Sequence, residues 1–393
     1  MKNLWDDAEA SRYTSDLDLR VYTSNLLGRS DELVLHGGGN TSVKSIVDGE
    51  EILYVKGSGW DLVSIKAEGF APVKMSALLE MAKRKNLSDT EMVSGQKVAM
   101  IDRSAPNPSV EAILHAIIPF KVVDHTHADA IVTISNSKYG QEHIAKLFPN
   151  FLIIPYVMPG FILAQKIYEM TEGDFDWDAC EGIILHNHGI FTFDNDAENS
   201  YDKMIEAVSL AEEFLEENAS ISLASKEVNA EVDLEKLKAA ISKAKGCEVV
   251  TKLDQSALAK TYASQDDLAT FATRGVLTPE HIIRTKRIPL VLEDENIEAA
   301  IESYMYDYKK YFQTFATEEI CLNPAPNYAV VKNVGVVLFG KNEKEANVLN
   351  DVIEHTMMAV LRADKLGGYE SISLSDSFDM EYWELEQAKL KGK

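Results

Sequence analysis

Two short segments constrain this chain more than any other feature. VVDHTHADAI, at 122–131, and IILHNHGIF, at 183–191, each place two histidines one residue apart at the end of an apolar run. In a strand, residues i and i+2 project from the same face, so the rings of His125 and His127 can reach one point. Neutral imidazole is the commonest ligand for zinc and similar metals. A chance H-x-H in a strand is the competing explanation, and a lone buried histidine is usually structural. The second segment strengthens the metal reading because it has the same form: strand, H-x-H, turn. His188 is the expected third ligand, since Gly189 after it lets the backbone turn towards a shared centre. His186 is expected beside the site or in the core.

Metal sites that do chemistry keep an open position and often use a carboxylate. Glu111 is the candidate, early in a helix that begins at Pro108 and runs through PSVEAILHAII (108–118). A carboxylate beside a metal and an apolar wall can serve as ligand and as general base. The alternative is a solvated glutamate in the first turn of a helix, where acidic residues are favoured. His115, one turn on and on the same helix face, is expected to pack or to support the site.

Two glycine-rich stretches accompany these residues, HGGGNTS from His36 and KGSGW from Lys56. Their spacings fit neither a Rossmann fingerprint nor a Walker loop. Successive glycines let backbone N–H groups form a nest for an anion. Asn40, Thr41, Ser42 and Ser58 add donors, and Lys44 or Lys56 could add charge. Each stretch alone could be an ordinary turn; together they favour a phosphate pocket.

The rest of the chain limits the partners. Its 393 residues carry 39 Lys plus Arg against 63 Asp plus Glu, a formal net charge of −24. Such a surface repels phosphate backbones and anionic membranes, so neither nucleic acid nor membrane is an expected partner. No apolar run approaches the ~20 residues of a membrane span. Three scattered cysteines (Cys180, Cys247 and Cys321) and an N-terminus without signal-peptide character point to a reducing, cytoplasmic setting.

Residues 5–28 read as one amphipathic helix ending at Gly28. LVLHGGGNTSVK, EILYVKGSGW, KVVDHTH, FLIIPYV and EGIILHNHGIFTF read as strands, the last long and nearly all apolar. Helices are expected at 75–85, through EAVSLAEEFLEE, around 292–315 and at 343–364, with a strand pair in YAVVKNVGVVLFG. A polar stretch places a boundary near 225–245. The expected domains are 1–230, catalytic, and 231–393, a smaller α/β region. GIFTFDNDAENSYDKMIEAVSLAEEF is echoed by GVVLFGKNEKEANVLNDVIEHTMMAV, with Asn333 and Val334 where the first copy has Asn187 and His188. This is either a degenerate repeat or the general likeness of strand-turn-helix units.

GGNTSVK, KGSG, PSVE, HTHADA and HNHGIFTF, in this order, resemble the motifs of the class II aldolase/adducin superfamily across roughly residues 5–215. Within it, the chain is most similar to the aldolase part of bifunctional rhamnulose-1-phosphate aldolase/dehydrogenases. That resemblance runs on through TPEHIIRTK and LGGYE to DMEYWELEQAKL. It implies an α/β fold, a three-layer sheet core flanked by helices. It implies that His125, His127 and His188 hold a divalent metal, zinc by preference, with Glu111 as acid/base and fourth ligand. Gly39, Asn40, Ser42, Ser58, Gly59 and Ser109 would bind phosphate, and Tyr156 would be the proton-donating tyrosine. One departure is Val110, where family aldolases often have a second serine. No dehydrogenase fingerprint follows, so a dehydrogenase step is expected on another polypeptide.

The implied activity is that of a lyase, cleaving a ketose 1-phosphate to dihydroxyacetone phosphate and a short aldehyde through a metal-stabilised enediolate. A homotetramer is implied. The rivals are a sugar-phosphate epimerase or dehydratase of the same superfamily and a metal-free adducin-like binding module. A metal-dependent hydrolase is disfavoured, because no convincing metal-binding or catalytic aspartate follows a late apolar strand.

Overall fold

The apolar runs that carry the histidines fold as neighbouring strands of one sheet. The computed structural model describes residues 1–223 and 231–385, and these divide into two units. The first comprises Met1–Ser135 and Gly140–Leu215, the second Asn136–Tyr139 and Glu216–Lys393. The domain boundary expected after residue 230 adjoins 224–230, which lie outside the described residues.

The first unit is built on seven strands: β1 (Asn40–Val47), β2 (Glu50–Lys56), β3 (Phe70–Lys74), β4 (Val122–Thr126), β5 (Phe151–Ile154), β6 (Gly182–Leu185) and β7 (Gly189–Asp194). Their order is β3-β2-β1-β4-β7-β6-β5. Only β5 and β6 pair in parallel. Strand β4 is central and buried along its whole length, because both sheet faces are covered. Val123 faces a core shared with the helices Ala112–Ile117 and Phe161–Thr171. Val122, on the opposite face, packs with Val43, Leu17, Leu19 and Ala197 from the helices Asp16–Gly28 and Ala197–Asn218. The result is the three-layer α/β arrangement expected from the sequence.

Local details differ. The N-terminal helix is two helices, Asp7–Ala10 and Asp16–Gly28. The break comes at Ser15, whose side chain accepts from Asp18 N and caps the second. Gly28 ends that helix without a left-handed turn; a Cβ there would stand 2.1 Å from Val63 N, so the residue serves a close backbone approach. HGGG is loop, and β1 begins only at Asn40. The helix expected from Pro108 begins at Ala112, with Glu111 at its N-cap. Pro108 instead bridges to Gly57.

The long apolar strand expected in EGIILHNHGIFTF is a hairpin, β6 and β7, in which Leu185 pairs with Gly189. Asn187 takes φ 59° and makes the turn, as asparagine tolerates. Gly189 is needed for space: a Cβ there would lie 2.3 Å from Thr126 O of β4.

The second unit holds a smaller sheet of β8 (Val250–Asp254), β9 (Leu290–Leu292), β10 (Tyr328–Val331) and β11 (Gly335–Gly340), in the order β8-β11-β10-β9. Order and strand sense repeat those of β4-β7-β6-β5, with β9 and β10 the parallel pair. Register repeats too. Val331 pairs with Gly335 as Leu185 pairs with Gly189, and Asp254 pairs with Val336 as Thr126 pairs with Ile190. Asn333 takes φ 60° as Asn187 takes 59°. A Cβ on Gly335 would meet Asp254 O at 2.2 Å, matching Gly189. Long helices follow both hairpins, from Ala197 and from Glu343. Among the described residues no helix is long and apolar enough to cross a membrane.

Candidate metal centre

His125 lies near the end of β4, His127 just beyond it, and His188 in the tight turn between β6 and β7. The hairpin carries His188 to the end of β4. One ring nitrogen from each of the three histidines lies within 4.8 Å of the others. His125 Nε2 and His127 Nε2 are 3.0 Å apart. Two nitrogens on one tetrahedral zinc sit about 3.3 Å apart, so the spacing suits a shared cation. His125 Nδ1 donates to Ile190 O at 3.0 Å, which turns the Nε2 lone pair to the centre.

Glu111 completes a three-nitrogen, one-carboxylate donor set. Its Oε2 is 3.5 Å from His125 Nε2, and its Oε1 is 3.8 Å from His188 Nε2. The side chain is buried, and Oε1 has no hydrogen-bond partner among the described residues. A buried carboxylate oxygen without a donor, aimed at three imidazoles, is a position a cation would satisfy. The residues present therefore fit a divalent metal.

Glu111 is held from behind by a chain of side chains. Asn40 Nδ2 donates to Glu111 Oε2 at 2.6 Å. His115 Nε2 donates to Asn40 Oδ1, and Ser42 Oγ bonds His115 Nδ1 at 2.7 Å. The His115 imidazole is pushed well below its ordinary range, first by burial and then by the charges of His125, Lys44 and Arg20. It stays neutral, which is the form this one-donor, one-acceptor arrangement requires. From sequence, Asn40 and Ser42 read as anion donors, and His115, on the helix face of Glu111, as packing or supporting the site; nothing in the spacing joins Asn40 and Ser42 to that face.

The remaining loops gather at the same end of the first unit. A Cβ built on Gly38 would lie 3.4 Å from His127 Nδ1, and one on Gly39 2.7 Å from His125 O. Lys56 Nζ donates to Gly37 O at 2.9 Å. Ser58 N donates to Asn107 O at 2.8 Å and Ser109 N to Lys56 O at 3.1 Å, so KGSG and PSVE run side by side. Ser58 and Gly59 are exposed. Ser109 Oγ accepts from Glu111 N at 3.2 Å. Burial lowers the ammonium of Lys56 to about 8 and that of Lys44 to about 8. Lys44 Nζ is occupied by Ile118 O and Phe120 O, and Thr41 Oγ1 by Ser24 Oγ at 2.8 Å. Tyr156 follows β5, beside the strand that leads into the His188 turn. His186 is buried, bonded through its backbone N to Ile154 O, and lies outside the three-histidine cluster.

Behind β4 is an ion pair that the sequence reading missed. Arg20 Nη2 meets Asp124 Oδ1 at 2.5 Å with both side chains fully buried, and Ser200 Oγ donates to Asp124 Oδ2 at 2.6 Å. The available signal was an aspartate directly after Val122–Val123 in a strand that is buried along its whole length.

Comparisons with known proteins find relatives over both halves of the chain. Residues 19–215 match the family described as Class II Aldolase and Adducin N-terminal domain, and residues 228–390 match Aldolase class II, second domain. The chain is 29% identical over 426 residues to the uncharacterized oxidoreductase YuxG of Bacillus subtilis (strain 168), covering 99% of this chain and 60% of that protein. It thus spans three-fifths of that relative's length. The N-terminal class II aldolase domain of a conserved protein from Thermoplasma acidophilum is 40% identical, covering 55% of this chain and 99% of that one, with a TM-score of 0.50. L-fuculose-1-phosphate aldolase from Thermus thermophilus is 14% identical, covering 51% of this chain and 95% of that one, with a TM-score of 0.33.

Proposed function

The chain belongs to the class II aldolase and adducin family, and from that premise we propose that it is a metal-dependent aldehyde-lyase acting on a ketose 1-phosphate of the rhamnulose 1-phosphate type. The observation that carries the proposal is Glu111 standing against His125, His127 and His188 in one cluster, buried except for the half-buried His127. A non-enzymatic binding module has no use for that set.

A divalent cation, zinc by preference, held by the three histidines supplies when bound the Lewis acidity that cleavage beside a carbonyl calls for. The chain's own residues do the rest. The C3–C4 bond breaks, its electron pair stays on C3, and the C4 hydroxyl loses its proton as the aldehyde forms. Glu111, fixed by Asn40 and entering the cleavage step protonated, delivers the proton that C3 takes up and leaves as the carboxylate. Tyr156 is the proton donor to the aldehyde oxygen in the reverse, condensing direction, and in cleavage that same proton returns to it from the C4 hydroxyl. Gly39, Asn40, Ser42, Ser58, Gly59 and Ser109 form the phosphate end, with Asn40 and Ser42 acting by shaping the loop, since their side chains are engaged with Glu111 and His115. The products are dihydroxyacetone phosphate and a short aldehyde. A homotetramer in the cytoplasm belongs to the same proposal; the three free cysteines suit a reducing compartment.

The second unit, on this reading, is a degenerate copy. By its matched strands and turn, Leu253, Gln255 and Val334 occupy the places of His125, His127 and His188. The copy retains the scaffold without the ligands.

The test is incubation of the metal-loaded protein with rhamnulose 1-phosphate and related ketose 1-phosphates, with products identified by mass and by NMR. Dihydroxyacetone phosphate plus aldehyde is expected. An epimer or a dehydrated sugar, with no carbon–carbon cleavage, would sink the lyase assignment. Asn40→Ala is expected to lower turnover about ten- to hundredfold with metal still bound, as loss of a supporting hydrogen bond does; unchanged turnover would remove Asn40 from the machinery.

A further inference from the structure

The second unit buries a cluster of charged and phenolic groups for which the metal chemistry has no use. Lys286 and Arg287 lie between the helix Ile282–Thr285 and β9. Tyr304, Tyr308 and Tyr311 come from one face of the helix Ile297–Phe315, and Glu381 and Tyr382 from the end of the helix Leu374–Glu381. Lys286 closes TPEHIIRTK and Glu381 lies in DMEYWELEQAKL, two segments that carry the family resemblance with no role attached. Residues 386–390 of the latter lie outside the described residues.

Lys286 is 6% exposed and takes φ 63°, a strained conformation for a residue with a Cβ. Its Nζ stands 3.7 Å from Glu381 Oε1 and 3.7 Å above the Tyr308 ring. The first distance is an ion pair without a hydrogen bond. Glu381 is 2% exposed. Its Oε1 accepts from the Tyr308 hydroxyl at 2.8 Å, which is 2.6 Å from the Tyr382 hydroxyl. Glu381 Oε2 and the Tyr311 hydroxyl are occluded and have no hydrogen-bond partner among the described residues. Arg287, half-buried, makes neither ion pair nor hydrogen bond among the described residues, and it feels the fields of Tyr311, Tyr304, Glu381 and Tyr328.

Glu381 ion-pairs with Lys286 alone, so the half-buried Arg287 beside them has no counter-charge of its own. Partly burying a cation without an ion-pair partner is costly, and a ligand of opposite charge would supply the missing partner. The geometry points to a second binding site, for a small hydroxylated oxyanion: a phosphate or carboxylate group held by Arg287 and Lys286, with the Tyr311 hydroxyl donating to it and Glu381 Oε2 accepting from the ligand's hydroxyl. A guanidinium fork takes either group in bidentate fashion. Burial disfavours the charged form of Lys286, and an arriving anion restores it. The site is independent of the metal centre and of the activity proposed there.

The test uses the full chain, titrated calorimetrically with inorganic phosphate and separately with malate, as wild type, Arg287→Met and Arg287→Lys. Any anion site in the first unit contributes equally to all three, so the difference between them isolates this cluster. Binding of one or both probes is expected in the wild type, weakened roughly ten- to hundredfold by Arg287→Met and less by Arg287→Lys. Phosphate alone binding would assign a phosphoryl ligand, and malate alone a hydroxy acid. Without anion, Arg287→Met is expected to melt no lower than wild type, because it removes an unpaired charge. Equal binding by all three proteins, or no binding by any, would overturn the proposal. So would a fall in melting temperature for both variants with an unchanged anion response, which would make Arg287 a structural residue.

Discussion

Replacing Glu111 by glutamine is expected to lower turnover about 100- to 10,000-fold while leaving metal content unchanged. Glutamine keeps the size of the side chain and an oxygen that can accept from Asn40 Nδ2, now bonded at 2.6 Å. The three imidazoles that converge within 4.8 Å do not depend on it. What the substitution removes is an oxygen that can carry and release a proton between His125 and His188, 3.5 and 3.8 Å from their Nε2 atoms. Glu111 sits at φ −92°, ψ 9°, in the sparsely populated bridge region where many active-site residues lie. Steady-state turnover and metal content, measured on the same preparation, separate the roles. Near-normal turnover would show that Glu111 moves no proton; loss of metal would show that it acts chiefly as a ligand.

Arg20→Ala is expected to destabilise the chain by about 3–5 kcal/mol, the usual cost of leaving one member of a buried pair alone. Asp124 would remain charged in the middle of β4, with Ser200 Oγ at 2.6 Å as its remaining hydrogen bond. Arg20 Nε and Nη1 are themselves occluded without partners among the described residues, so the pair is not an optimised one. Arg20→Met combined with Asp124→Leu should therefore recover most of the loss. Denaturant midpoints for the three proteins decide this. A single variant within about 0.5 kcal/mol of wild type, the range of ordinary surface changes, would mean that Asp124 finds another partner. His125 follows Asp124 directly, so the same loosening should weaken metal retention.

The metal ligands were legible because their chemistry is written locally. An H-x-H pair in an extended run needs only the period of a strand to converge, and His125 Nε2 and His127 Nε2 do lie 3.0 Å apart. The layered α/β fold was legible for a similar reason: apolar runs covered on both sides alternate with amphipathic helices. What failed was local punctuation. A turn after His188 was expected, yet EGIILHNHGIFTF still read as one long strand, because a turn made by a single left-handed asparagine interrupts no apolar pattern. Gly28 read as a helix stop and Gly189 as a turning point, whereas each is small because another backbone passes against it. The Ser42–His115–Asn40–Glu111 chain joins β1 to the start of the helix Ala112–Ile117, and the Arg20–Asp124 pair joins the helix Asp16–Gly28 to β4, so only the packing of these helices on the sheet brings the partners together. The likeness of the two hairpin-helix units was visible in sequence, but the shared strand order, register and asparagine turns needed the structure.

The central claim is that His125, His127 and His188 hold a catalytic divalent cation. The most direct measurement is bound metal per chain, by plasma mass spectrometry after exhaustive dialysis, for the native protein and for the double variant His125→Ala, His127→Ala. The account predicts about one zinc-like ion per native chain and none in the folded variant. No metal in the native protein after reconstitution with zinc, manganese or cobalt, or undiminished metal in the variant, would contradict it.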